Sequence, residues 1–197
     1  MLLEEKYPEF KELYHNLKPV VMQADFARYM VVHAYGGMYL DTDIECIWPV
    51  DPFLSGYDLV LQGSGTAAKG WHMDLGCGNF AAVPGQHIFY SAMEIIHKRS
   101  LDTGHRSYHD PLYRTGPRVL AEALRLELNI SDSNEFTNRR LGTHRLGDDI
   151  AHVYSVGEWY LPCFFDDRCL HHFRTSRAEG KVSYDLAGVH HLSGSWN

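Results

Sequence analysis

The segment from Gln23 to Asp43 restricts the fold more than any other. Ala24, Ala27, Met30, Val31 and Ala34 recur at three- and four-residue spacing, which predicts a helix over Gln23–Tyr35. Gly36-Gly37 ends it, because glycine readily supplies the left-handed cap of a helix. Met38-Tyr39-Leu40 then reads as a buried strand that runs directly into Asp41-Thr42-Asp43. A helix, a glycine turn and a buried strand in quick succession belong to a layered α/β architecture. Both carboxylates then project from the C-terminal edge of the strand, where open α/β sheets place their ligands.

The remaining pattern extends the same alternation. Glu4–Leu17 reads as a short amphipathic helix stopped before Pro19. Leu59–Leu61 reads as a second short strand, and Asn79–Val83 as another. Gln86–Arg99 is expected to be helical, and Gly116-Pro117 opens a helix running to about Leu128, with proline at its tolerated first position. Val153–Val156 is a further strand candidate. Gly63–Gly70 reads as a mobile loop; it does not fit a phosphate-binding loop, because Lys69 is followed by Gly70 rather than Ser or Thr. Asp166–Lys181 is polar, His-rich and expected to be loop. Val189–Leu192 is a short stretch with apolar ends.

Size and composition narrow the chemistry. With 197 residues, 45% of them apolar and 22% charged, the chain suits one globular domain over residues 1–197. A net charge of -7 argues against a nucleic-acid partner, which needs a basic surface. Cys46, Cys77, Cys163 and Cys169 form no CxxC pair, which argues against structural zinc. Cys163 and Cys169 are compatible with a disulfide or with two buried thiols. No run approaches the roughly 18 apolar residues needed to cross a bilayer.

Asp41 and Asp43 are the candidate chemical centre. Two close carboxylates repel unless a charge compensates them, and a hard divalent cation with open positions for substrate phosphates does so. A plain turn at a strand end is the alternative for an isolated pair. Asp25 and Arg28 share a helical face at i and i+3. Alone they would read as a surface ion pair; upstream of the carboxylate pair they read as part of one site.

The stretch from Ala24 to Leu54 resembles the sugar-binding region with the DXD motif found in family 32 glycosyltransferases. The matching elements are Ala24-Asp25, Arg28-Tyr29, Tyr35-Gly36-Gly37, Tyr39, Asp41 and Asp43. Gly78-Asn79-Phe80, Pro84-Gly85 with His87, Thr115-Gly116-Pro117, and the closing His190-His191 with Gly194-Ser195-Trp196 extend the resemblance to the end of the chain. The resemblance implies a GT-A-type sheet flanked by helices. It also implies a retaining, Mn²⁺-dependent transfer (Mg²⁺ being the alternative ion) of a hexose from a nucleotide sugar to a glycan or glycolipid. Among fungal relatives mannose comes first, so GDP-mannose is the leading donor and a UDP-hexose the second.

Residue roles follow from the same resemblance. Asp43 is expected to ligate the metal directly, and Asp41 to lie on the ribose or sugar side or reach the metal through water. His191 is the candidate third ligand, with His190 nearly equal. Asp25 is expected to accept donor sugar hydroxyls, with Arg28 orienting it or touching the diphosphate. Tyr29, Gly36, Gly37, Asn79, Ser195 and Trp196 complete the donor contacts the resemblance implies, while the residues themselves favour Tyr29, Tyr35 and Tyr39 as core side chains with a polar tip. Family members carry an earlier strand for the nucleotide base, whereas the 40 residues before Asp41 read mainly as helix. An N-terminally incomplete domain without that strand is therefore expected, and a non-catalytic remnant is one alternative. A haloacid-dehalogenase-type phosphohydrolase is the other, with Asp148-Asp149 or Asp166-Asp167 as its downstream acids. Localisation stays open: the Golgi lumen for a eukaryotic relative with a missing N-terminal anchor, the cytoplasm otherwise.

Overall fold

A computed structural model describes residues 2–63, 75–102, 104, 110–131, 141–155, 158–162, 171, 175, 178–179 and 186–191. The expected loops at 64–70 and 166–181 lie largely outside these residues, as do Cys163, Cys169, Asp166, Asp167, Ser195 and Trp196.

The N-terminal helix is broken in two. Helix α1 covers Leu2–Lys6, a 3-10 turn covers Pro8–Phe10, and α2 covers Lys11–Asn16. Pro8 cannot donate the backbone bond a continuous helix needs, and it opens the 3-10 turn instead. Helix α3 spans Val20–Tyr35, three residues longer at its start than its periodicity predicts. Gly36 ends it with φ 67°, its N–H donating to the Val32 carbonyl.

Strand β1 (Gly37–Leu40) follows at once, then β2 (Ile44–Cys46), α4 (Asp51–Leu54), β3 (Leu59–Gln62) and β4 (Asn79–Ala82). Helices α5 (His87–Leu101), α6 (Pro111–Arg114) and α7 (Pro117–Glu127) come next, then β5 (Gly142–Leu146), β6 (Asp149–Tyr154), β7 (Tyr160–Pro162) and β8 (Gly188–His190). A five-stranded mixed sheet runs β1-β4-β3-β6-β5, and a three-stranded sheet runs β2-β8-β7. β3 and β6 are parallel and the other pairs of the large sheet are antiparallel.

Alternation along the strands divides the core. Tyr39, Leu59, Leu61, Phe80, Ala151 and Val153 face the helices, packing against Phe26, Tyr29, Phe89 and Leu120. Val60, Ala81, Met38 and Leu40 face the other way, toward Phe53, Trp159, Tyr160 and Ala187. Neighbouring residues point to opposite faces, and in β3 all four are buried, as in a sheet covered on both faces. The result is mixed α/β, with a central mixed sheet and a helical layer, consistent with a GT-A-like arrangement. β1 is an edge strand and only half-buried, where the sequence predicts a buried one.

The register assigns two ends to the large sheet. Gly37, Ala82, Leu59 and Ala151 align at one end, while Leu40, Asn79, Gln62 and Tyr154 mark the other. Asp41 emerges at the second end. Asp148 and Asp149 lie at the first, beside Gln86, whose Nε2 donates to Asp149 at 2.9 Å. The strand lengths separate these ends by roughly 13 Å at about 3.3 Å per residue. Asp148-Asp149 therefore does not join Asp41, and that version of the phosphohydrolase reading is not assembled.

Candidate functional site

A turn carries the carboxylate pair. The Asp41 N–H donates to the Gly78 carbonyl at 2.7 Å, prolonging the β1–β4 pairing by one step. The Ile44 N–H then donates back to the Asp41 carbonyl at 3.1 Å, closing a four-residue turn over Asp41-Thr42-Asp43-Ile44. Aspartate suits the first position of such a turn. The turn also passes the chain from the large sheet to the small one, since Ile44 opens β2. From the small sheet, β8 brings His190 alongside, and the His191 N–H donates to the Asp43 carbonyl at 3.0 Å.

Ligand atoms of Asp41, Asp43 and His190 lie within 4.8 Å of one another. His190 Nε2 is 3.2 Å from Asp43 Oδ1 and 4.0 Å from Asp41 Oδ2. The two oxygens of Asp41 have different surroundings. Oδ1 accepts from the Tyr39 hydroxyl at 2.8 Å and faces Arg28 Nη1 at 3.3 Å, whereas Oδ2 faces His190. Gly78 closes the floor: a Cβ there would sit 2.6 Å from Asp41 Oδ2 and 2.8 Å from His190 Cε1. Two carboxylates and an imidazole in a half-buried cradle are a chemically suitable donor set for a divalent cation that keeps open positions.

Behind this cluster lies a buried ion network. The Arg28 side chain is 1% exposed. Its Nη2 meets Asp25 Oδ1 at 2.9 Å, and its Nη1 donates to the Cys77 carbonyl at 2.6 Å while facing Asp41. The guanidinium lies over the Tyr39 ring, 4.6 Å from its centroid. Burial opposes the charge on Arg28, but Cys77, Asp25 and Asp41 more than offset it and hold its pKa above the usual value. Burial pushes the Asp25 carboxyl upward, opposed by Arg28 and by the Thr115 hydroxyl, which donates to Oδ2 at 2.6 Å. Burial likewise raises the Tyr39 phenol, so it stays a donor to Asp41, and the Cys77 thiol is pushed up to about 12, which makes it a poor nucleophile.

Several expected contacts fall elsewhere. His190, not His191, faces the carboxylates; His191 turns to Glu45, with Nε2 and Oε2 3.2 Å apart. Successive residues at a strand end point to opposite sides, so only one of the two could face the pair. Asp25 has both oxygens engaged inside the protein, and Arg28 is sealed behind Asp41, so neither presents itself to a sugar or a diphosphate. Tyr29 is fully buried, its hydroxyl donating to the carbonyls of Thr115 (3.1 Å) and Gly116 (3.4 Å). Asn79 is buried and donates to Gln62 Oε1 at 2.9 Å. Gly36 and Gly37 lie at the far end of β1 from Asp41, and the close approach Gly36 permits is to Pro84 and Ala82. Thr115, Tyr39 and the Cys77 carbonyl are partners that sequence reasoning did not assign. Thr115 and Tyr39 left traces as elements of the family resemblance, in the Thr115-Gly116-Pro117 motif and two residues before Asp41; the Cys77 carbonyl left none.

The fold and the site agree with what the first 60 residues resemble, a glycosyltransferase sugar-binding region of the DXD type. Residues 1–60 match the family model described as "Glycosyltransferase sugar-binding region containing DXD motif", and the resemblance read from the sequence holds. The chain is 33% identical over 96 residues to Inositol phosphoceramide mannosyltransferase 1 of Schizosaccharomyces pombe, covering 49% of this chain and 28% of that protein. It is 40% identical over 119 residues to Inositol phosphoceramide mannosyltransferase 3 of the same yeast, covering 58% and 30%. Mannosyl phosphorylinositol ceramide synthase SUR1 of Saccharomyces cerevisiae is 38% identical over 53 residues, covering 27% and 14%. The chain thus spans less than a third of the length of each of these relatives. Among the described residues no helix is long and apolar enough to cross a membrane.

Proposed function

We propose that this chain transfers a hexose, mannose first, from a nucleotide sugar to a hydroxyl of a glycan or glycolipid, with retention and with Mn²⁺ as cofactor. The observation that carries the reading is the convergence of Asp41, Asp43 and His190 on one point, in a chain whose first 60 residues match the DXD family. Asp41 Oδ2, Asp43 and His190 would hold the cation. When bound, a divalent cation neutralises charge on a departing diphosphate and makes it a better leaving group.

The chain's own residues supply position. Arg28 and Tyr39 fix Asp41 Oδ1, which keeps Oδ2 turned outward. The proposed route is attack by the acceptor hydroxyl on the face the diphosphate leaves. The bond from the anomeric carbon to phosphate oxygen breaks, the bond to the acceptor oxygen forms, and the acceptor proton passes to the leaving phosphate. Mannosyl transfer to inositol phosphoceramide, the reaction in the relatives' names, is the first acceptor to try.

The test is incubation of the protein with GDP-mannose and with UDP-hexoses, each with Mn²⁺ or with EDTA, beside a generic phosphate ester. Release of GDP or UDP that depends on Mn²⁺ is expected. Phosphate release from the ester without turnover of any nucleotide sugar overturns the reading.

A further inference from the structure

We infer that Thr115 is a positioning residue for the metal centre, acting through Asp25 and Arg28 on Asp41. The inference rests on the metal site proposed above. Thr115 lies at the junction of α6 and α7, 90 residues from Asp25 in sequence, and it is fully buried. Its hydroxyl has one proton. The Asp25 Oδ2 acceptor at 2.6 Å is much nearer than the Pro111 carbonyl at 3.3 Å, so the proton goes to Asp25. Thr115 is the C-cap of α6, and Gly116 rather than Thr115 is the N-cap of α7, so its hydroxyl is not taken up in capping α7.

Each link leaves the next with few alternatives. Asp25 Oδ2 is held by Thr115, which leaves Oδ1 to Arg28 Nη2 at 2.9 Å. Arg28 is then anchored on Asp25 and the Cys77 carbonyl, and its Nη1 faces Asp41 Oδ1 at 3.3 Å. Oδ1 so held, the other oxygen of Asp41 is turned toward His190. The Thr115 backbone is itself pinned, because the Tyr29 hydroxyl donates to its carbonyl. Among the described residues the Nε of Arg28 is buried without a hydrogen-bond partner, so its two terminal nitrogens carry the contacts that hold the guanidinium. Outer-shell groups that orient a metal ligand typically contribute about 10–100-fold in metal affinity.

The experiment measures Mn²⁺ binding to the protein alone, from the decrease of the free-ion electron paramagnetic resonance signal, so it needs no donor or acceptor. Thr115→Val removes the hydroxyl at constant shape, and Thr115→Ser keeps it. Val119→Ala, one turn along α7 in the same core, weakens packing without touching the network. Expected is an about 10-fold or greater rise in Kd for Thr115→Val, with Thr115→Ser and Val119→Ala near wild type. If valine at 115 prevents folding, Asp25→Asn tests the next link and is expected to weaken binding similarly. Wild-type affinity in the folded Thr115→Val protein, or in Asp25→Asn, overturns the inference, as does an equal loss in Val119→Ala. A wild-type protein that binds no Mn²⁺ overturns the metal site and this inference together, which separates the two failures.

Discussion

At the scale of single residues, the site divides into groups that face outward and groups that hold them. Asp43 faces outward. Its side chain meets His190, and its backbone carbonyl, which any substitution leaves in place, receives the His191 N–H. Asp43→Ala is therefore expected to abolish Mn²⁺ binding and Mn²⁺-dependent turnover. Unfolding free energy without metal should stay within about 1 kcal/mol of wild type, since the substitution also relieves repulsion from Asp41. Urea titration beside an Mn²⁺ titration checks both halves, and a variant that still binds Mn²⁺ like wild type removes Asp43 from the ligand set. Gly78 works by what it lacks. A Cβ at 2.6 Å from Asp41 Oδ2 and 2.8 Å from His190 Cε1 cannot be accommodated unless one of them moves. Gly78→Ala is expected to weaken Mn²⁺ binding by about 10-fold or more, on the scale of lost ligand orientation. Unchanged affinity would mean the carboxylate and imidazole can both yield without cost. The same scale explains why His191 looked as good as His190 in the sequence. Alternation says that the two side chains diverge, but not which one faces β1.

At the scale of elements, the Gly36-Gly37 turn is where sequence and structure agree on position and differ on purpose. The sequence places it correctly between α3 and β1. Its reason is backbone geometry: Gly36 has φ 67° and ψ -162°, a region essentially confined to glycine. A Cβ there would stand 2.7 Å from Pro84 Cδ and 2.9 Å from the Ala82 carbonyl. Gly36→Ala should cost about 2 kcal/mol or more in unfolding free energy, seen as a lower urea midpoint at unchanged m-value. Mn²⁺ affinity per folded molecule should be retained, because the turn is at the far end of β1. A loss of affinity without loss of stability would return the turn to the donor site. Legibility elsewhere follows apolar content. α3, α5, α7, β3 and β4 bury runs of apolar side chains and were readable within a few residues. β5 buries none of its five residues fully, and β2 and β7 are three residues each, so their periodicity carries almost no signal. Their pairing is decided by partners distant in the chain.

At the scale of the whole molecule, the candidate metal centre sits astride two sheets, and this was not legible at all. The sequence placed Asp41 and Asp43 on one strand end and His190 near the chain end, without the second sheet that joins them. Asp41 leaves the large sheet while His190 ends a strand of the small one, so the cluster exists only if the two sheets keep a fixed relation. Among the described residues, Gln62 forms a polar link between them. Its Nε2 donates to the Tyr160 carbonyl at 2.7 Å, and its Oε1 accepts from the Tyr160 N–H at 3.0 Å and from Asn79 at 2.9 Å. Tyr160 opens β7, β7 pairs with β8, and β8 carries His190. Gln62→Leu keeps the volume roughly constant but leaves three buried polar groups without these partners, each costing about 1–3 kcal/mol. The expected loss is about 3 kcal/mol or more in urea unfolding. Mn²⁺ affinity should fall in the molecules that remain folded, because the position of His190 relative to Asp41 is no longer fixed. Gly36→Ala is the matched comparison, destabilising the large sheet while leaving the joint intact. If both variants lose stability and both keep wild-type Mn²⁺ affinity, the two sheets are held in register by the apolar contacts around Trp159 and Tyr160 alone, and Gln62 contributes to stability without setting the site.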